Sequence, residues 1–138
     1  MKNIILGTLL FLTANLLFAQ TQSKIELKVE GLRNTKGHIL VQVVDKDLAS
    51  IVELKQKIEE DIVKISIPDV KPGVYGIRIC HDEDNNDEMT SNWIGIPKEG
   101  FGYSWDKKVK MKEPDFEEYA FTLEKENDAL VNIKLQYL

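Results

Sequence analysis

Residues 24–30, Lys24-Ile25-Glu26-Leu27-Lys28-Val29-Glu30, decide the fold class. Apolar Ile25, Leu27 and Val29 alternate with charged Glu26, Lys28 and Glu30. Successive side chains of an extended chain point to opposite faces, so this segment is a strand with one face in a core and one in water. The period returns in Ile39, Val41 and Val43 against His38, Leu40 and Gln42, and in Val63, Ile65 and Ile67 against Lys64 and Ser66. Further strands are expected at Val74 to His81, at Tyr119, Phe121 and Leu123, and at Val131, Ile133, Leu135 and Tyr137. Turn chemistry separates them, as in Gly31 to Gly37 and Pro68-Asp69-Val70-Lys71-Pro72-Gly73. This spacing predicts an all-β chain, a single β-sandwich of about seven short, mostly antiparallel strands. Asp47 to Ile58 fits two readings, a short helix on Leu48, Ile51, Val52 and Lys55 or an edge strand.

The N-terminus has a different character. Met1-Lys2-Asn3 is a short basic start, Ile4 to Leu12 is apolar, and Leu16-Leu17-Phe18-Ala19 leads into polar sequence. That order is the pattern of a secretory signal peptide, with cleavage expected after Ala19 and residues 20–138 forming one domain. The apolar stretch, interrupted by Asn15, is short for a membrane span, which needs about 20 apolar residues. No cysteine follows it to carry a lipid, so the expected destinations are the periplasm, the medium or the cell surface.

Removing residues 1–19 takes away Lys2 and no acid, leaving 17 basic and 23 acidic side chains and a net charge of about −6. Such an acidic chain is not expected to bind nucleic acid or an anionic membrane, both of which demand a basic face. Cys80 is the single cysteine, so no internal disulfide forms even in an oxidising compartment.

The densest chemistry follows the fourth expected strand, in His81-Asp82-Glu83-Asp84-Asn85-Asn86-Asp87-Glu88-Met89-Thr90. Asp82, Asp84 and Asn86 alternate as in loops that wrap Ca²⁺, a hard cation taking six to eight oxygens. Glu88 would add a backbone carbonyl and Thr90 a hydroxyl or a bound water. The sharp-turn glycine of such loops falls at Asp87, and the closing bidentate glutamate falls at Trp93. Asp tolerates left-handed backbone better than most residues, and Glu99 is the candidate to replace the missing glutamate. The competing account is a solvated acidic turn between two strands.

Beyond the loop runs Asn92-Trp93-Ile94-Gly95-Ile96-Pro97-Lys98-Glu99-Gly100-Phe101-Gly102-Tyr103-Ser104-Trp105. With the His81-Asp82-Glu83-Asp84-Asn85-Asn86 stretch and the later Pro114-Asp115-Phe116-Glu117-Glu118-Tyr119-Ala120, it resembles the exported bacterial family called domain of unknown function 2141. That family's pattern is His-Asp-x-Asn-x-Asn-Gly, then Gly-Ile-Pro-x-Glu-Gly-aromatic-Gly-aromatic-Ser, then Pro-x-Phe-x-x-Ala. The likeness runs from about Ile25 to Leu135, with departures at Asp87 and Thr90, where the family tends to have glycine and an acid. The resemblance implies an exported domain and brings no assigned reaction. The Pro72-Gly73-Val74-Tyr75 step is also similar to small exported sandwiches of the transthyretin-like and carboxypeptidase-regulatory type. An immunoglobulin- or transthyretin-like sandwich is therefore expected.

Gly95, Gly100 and Gly102 permit close approach or unusual backbone angles. Trp93, Phe101, Tyr103 and Trp105 then either cap one end of the core or form an exposed platform for a glycan or peptide partner. His38 reads as a surface residue. His81 beside an acid is the one candidate for acid–base chemistry, in a small periplasmic enzyme. Neighbouring strand residues point to opposite faces, however, so neither Cys80–His81 nor His81–Asp82 need touch. Cys80 reads as a small buried hydrophobe. No serine-elbow, zinc-binding or phosphate-cradling motif is present. The chain is expected to be a non-enzymatic module.

Overall fold

A computed structural model describes residues 22–105, 107–110 and 112–138. The expected signal segment, residues 1–19, lies outside the described residues. The strands are β1 (Ser23–Glu30), β2 (His38–Val44), β3 (Ser50–Lys57), β4 (Val63–Val70), β5 (Gly73–Asp82), β6 (Gly100–Tyr103), β7 (Phe121–Leu123) and β8 (Ala129–Lys134). One four-residue helix, α1 (Phe116–Tyr119), precedes β7. No helix among the described residues is long and apolar enough to cross a membrane.

The strands form two sheets, β4-β1-β8 and β3-β2-β5-β6, with β7 paired to the start of β5. The expected all-β sandwich is what the chain builds. The alternating residues supply its core: Ile25, Leu27 and Val29 face Ile39, Val41, Val43, Ile77 and Ile79, with Ile133 beside them. Burying each such side chain fully contributes about 1.5–3 kcal/mol relative to exposure. Pairing is antiparallel except between β1 and β8, which run parallel from Ile25↔Ala129 to Glu30↔Lys134.

One segment that fitted two readings takes one of them, and two others depart in detail from the sequence reading. Asp47 to Ile58 resolves as the edge strand β3, paired antiparallel to β2 from His38↔Lys57 to Val44↔Ser50. Its Val52 and Leu54 pack against the core while alternate residues face water, which only an extended backbone achieves. Tyr119, expected in a strand, ends α1 instead. Asp115 N–H donates to Glu118 Oε2 at 2.9 Å and Glu118 N–H to the Asp115 carbonyl at 2.9 Å, which closes one helical turn. The last strand stops at Lys134. The chain then crosses between the sheets, because Leu135 N–H donates to the Glu30 carbonyl while Gln136 and Phe101 exchange backbone hydrogen bonds at 2.8 and 3.0 Å.

Residues paired across strands share a face. Arg78↔Gln42, Cys80↔Leu40 and Asp82↔His38 therefore place Arg78, Cys80 and Asp82 on the outer face of the five-stranded sheet. Ile77, Ile79 and His81 take the inner face. That division positions everything below.

Candidate functional site

Strand β5 delivers Asp82 at its last position, where it is fully buried, and the chain then turns sharply through Asp84 to Thr90. Two residues of the turn hold left-handed backbone, Asn85 at φ 58° and Asp87 at φ 63°. Asp87 thus adopts the conformation that a glycine would otherwise supply, and its carboxylate pairs with Lys55 on β3. Asp82 shapes the turn directly, since Asn86 N–H donates to its Oδ1 and Asp87 N–H to its Oδ2, both at 3.1 Å.

Glu99 returns to the same place from seventeen residues downstream and is 4 % exposed. Glu83 N–H donates to its Oε1 at 2.8 Å, and Thr90 N–H to its Oε2 at 2.9 Å. Carboxylate oxygens of Asp82, Asp84 and Glu99 all lie within 4.8 Å of one another. Thr90 joins through its hydroxyl, which donates to Asp84 Oδ2 at 2.8 Å, and Asn86 Nδ2–H donates to that hydroxyl at 2.8 Å. The Asn86 amide oxygen accepts Glu88 N–H at 2.9 Å, and Glu88 itself is exposed. The fold therefore gathers Asp82, Asp84, Asn86, Thr90 and Glu99 at one place and leaves the Glu88 side chain in water.

Arg33 clamps the site from outside. Its guanidinium donates to both oxygens of Glu83 at 2.7 and 3.0 Å and to the Lys98 carbonyl at 3.1 Å, and stacks 4.6 Å above the Tyr137 ring. Burial pushes the Glu83 carboxyl up, but the Arg33 hydrogen bond and charge outweigh it and hold the group below the usual carboxylate range. Neither Arg33 nor Tyr137 was legible as a site residue, because one sits in a turn-rich break and the other reads as core.

His81 is fully buried on the inner face. Its Nε2–H donates to the Lys36 carbonyl at 2.7 Å, which leaves Nδ1 to accept the Tyr137 hydroxyl at 2.7 Å. The ring ties the 31–37 turn to the C-terminal segment with both nitrogens engaged. His38 is also not simply a solvated surface group, since its Nδ1 lies 2.6 Å from Asn85 Oδ1. Cys80 faces outward between Met89 Sδ at 3.8 Å and Glu99 Oε2 at 3.9 Å. Burial, then the charges of Glu99 and Asp82, push its thiol up to about 12. A thiol at that value is not a thiolate nucleophile near neutral pH.

The four aromatics of residues 93–105 separate. Phe101 is buried in β6, and Tyr103 and Trp105 are half-buried with ring centroids 5.9 Å apart. Tyr103 also packs on Tyr119 at 5.1 Å, so this group covers the outer sheet face near Gly76. Trp93 is 94 % exposed, at the tip of a small hairpin closed by the Ser91↔Pro97 bridge. Asn92 pins that tip, its side-chain oxygen accepting Ile94 N–H at 3.0 Å and Ile96 N–H at 2.9 Å. Gly100 and Gly102 serve close packing, for Tyr137 and Ile133 lie 2.5 Å from where a Cβ would stand.

No curated protein and no solved structure matches the chain. Residues 27–130 match the family described as "uncharacterized protein conserved in bacteria", DUF2141, over a range that includes β2 to β7, the acidic turn, Glu99 and the Trp93 hairpin. The chain belongs to the DUF2141 family.

Proposed function

We propose that this chain is an exported, non-catalytic β-sandwich module that binds Ca²⁺ through Asp82, Asp84, Asn86, Thr90 and Glu99, with Glu88 adding its backbone carbonyl. The observation that carries this reading is the convergence of three carboxylates within 4.8 Å, two of them buried. Among the described residues no lysine or arginine forms an ion pair with Asp82, Asp84 or Glu99. Buried charges are ordinarily paired or coordinate a metal. Two ionised carboxylate oxygens 4.8 Å apart repel by about 3 kcal/mol at an effective dielectric constant near 20. The backbone N–H donors offset part of that repulsion, and a hard divalent cation offsets it directly.

The ion would have a structural consequence. Thr90 and Glu99 form the base of the hairpin that carries Trp93, and Lys98 N–H already donates to the Thr90 carbonyl at 2.9 Å. Locking that base presents Trp93 in a fixed orientation. A second reading needs no metal: the pinned, 94 % exposed Trp93 is itself the working surface, stacking on a glycan or a peptide. Export is motivated by the signal-like pattern of residues 1–19, and it gives the loop access to an extracellular or periplasmic supply of calcium.

Calcium titration followed by calorimetry and thermal unfolding tests the first reading. At a free ion concentration 100-fold above Kd, the native state gains about 2.7 kcal/mol, which raises Tm by roughly 10 °C in a domain of this size. Glu99→Gln and Asp82→Asn remove the response. Absence of heat and of any Tm change at millimolar Ca²⁺ refutes it.

A further inference from the structure

A groove of about 1360 Å³ lies over the outer face of the five-stranded sheet, larger than the few hundred Å³ that a small-molecule site needs. One half of it is apolar, formed by Leu40, Cys80, Met89, Ile96 and Phe101. The other half is a polar row. Gln42 Nε2–H donates to Glu53 Oε1 at 3.1 Å, and Gln42 Oε1 accepts Arg78 Nε–H at 3.1 Å and Nη2–H at 2.6 Å. Arg78 Nη1–H donates to Glu113 Oε1 at 3.1 Å.

Arg78 sits with its side chain 28 % exposed and spends three of its five N–H groups on these partners. Gln42 is neutral, so among the described residues the only negative charge paired with Arg78 is that of Glu113, whose side chain is 59 % exposed. An ion pair with so exposed a partner is weak and easily exchanged. A half-buried guanidinium beside an apolar floor, met only by a carboxylate from the rim, defines the ligand chemistry it accepts. Guanidinium binds carboxylates through paired N–H donors. The other charges of the rim balance one another, Glu53, Asp87 and Glu88 against Lys55, Lys110 and Lys112, with Asp87 paired to Lys55 and Lys112 to Asp115.

We infer that this groove binds a small amphipathic carboxylic acid, with its aliphatic chain over Leu40, Cys80 and Phe101 and its carboxylate on Arg78 in place of Glu113. The groove borders the proposed calcium loop at Glu88 and Met89, but the carboxylate contact on Arg78 uses none of that loop's ligands, and the test is run in the presence of EDTA so that no calcium carboxylate contributes.

The probes are decanoate below its micelle concentration, 1-decanol with the same chain and no charge, and acetate with the charge and no chain. Calorimetry on the full domain is expected to give decanoate binding about tenfold tighter than decanol, and none for acetate. Arg78→Gln removes the preference for decanoate over decanol. Glu113→Gln, a change at an exposed position that leaves the fold intact, tightens decanoate several-fold by removing the competing carboxylate. Amide and Arg78 Nε–H resonances then shift at Arg78 and Cys80. Equal affinity for decanoate and decanol overturns the inference. So does unchanged affinity in Glu113→Gln, or shifts confined to the Trp93 hairpin.

Discussion

Replacing Gly37 by alanine tests how tightly the acidic turn is seated on the chain beside it. Gly37 holds φ +72°, and a Cβ there would stand 1.8 Å from the Asp82 carbonyl oxygen and 2.9 Å from Glu83 Cα. Two costs add. Left-handed backbone costs a non-glycine residue about 1–2 kcal/mol. The collision is with backbone, so no side chain can swing away, and overpacking of this kind costs about 1–3 kcal/mol more. Gly37→Ala is therefore expected to lose about 2–5 kcal/mol. Gly95→Ala is the matched control, because Gly95 has φ +83° with nothing within 4 Å of its Cβ position, leaving only the first cost. Urea unfolding of the two variants and the parent, with an unchanged m-value, measures the difference. If the two substitutions cost the same within about 0.5 kcal/mol, the close seating of the 31–37 turn on Asp82 is refuted.

Other predictions concern single side chains. Ser104→Ala should cost about 1–3 kcal/mol by urea unfolding, because Ser104 Oγ accepts Ile77 N–H at 2.8 Å and donates to the Tyr119 carbonyl at 2.5 Å, and both partners are left unmet. Cys80 should react with a disulfide reagent at pH 8 only after denaturation; rapid reaction in the native state would contradict its buried, neutral setting. Its raised folded value means that the native state keeps the proton when the unfolded chain has lost it. Stability from this group is complete below pH 9 and falls as pH rises toward 12, and the fall is smaller in Cys80→Ala. Iodide should quench Trp93 strongly and Trp105 weakly, so Trp93→Phe removes most of the quenchable emission. Equal quenching in that variant would show the hairpin tip to be covered.

The strands and their inward faces were readable because period-two alternation is a local property of the chain, as Ile25, Leu27 and Val29 illustrate. The acidic turn was likewise readable from spacing and residue type, and Glu99 was a candidate to join it, but only the fold brings the two together. Local pattern could not choose between helix and strand for Asp47 to Ile58, and the unpaired edge of β2 decided it. Nor could it show that Tyr119 closes a helical turn. Trp93 and Phe101 look alike in sequence, yet one is solvated and the other buried, because exposure depends on which distant segments cover a residue.

The sequence by itself determined the all-β class, the core-facing residues and the family. Only the tertiary structure decided which polar groups meet. It aims Asp82 and Cys80 outward and His81 inward, brings Glu99 back to Asp82 and Asp84, and sets Arg33 on Glu83 across fifty residues. The physical reason is that alternation fixes a side chain's face within its own strand, whereas its partners are set by strand order, register and the loops that return across the sheet.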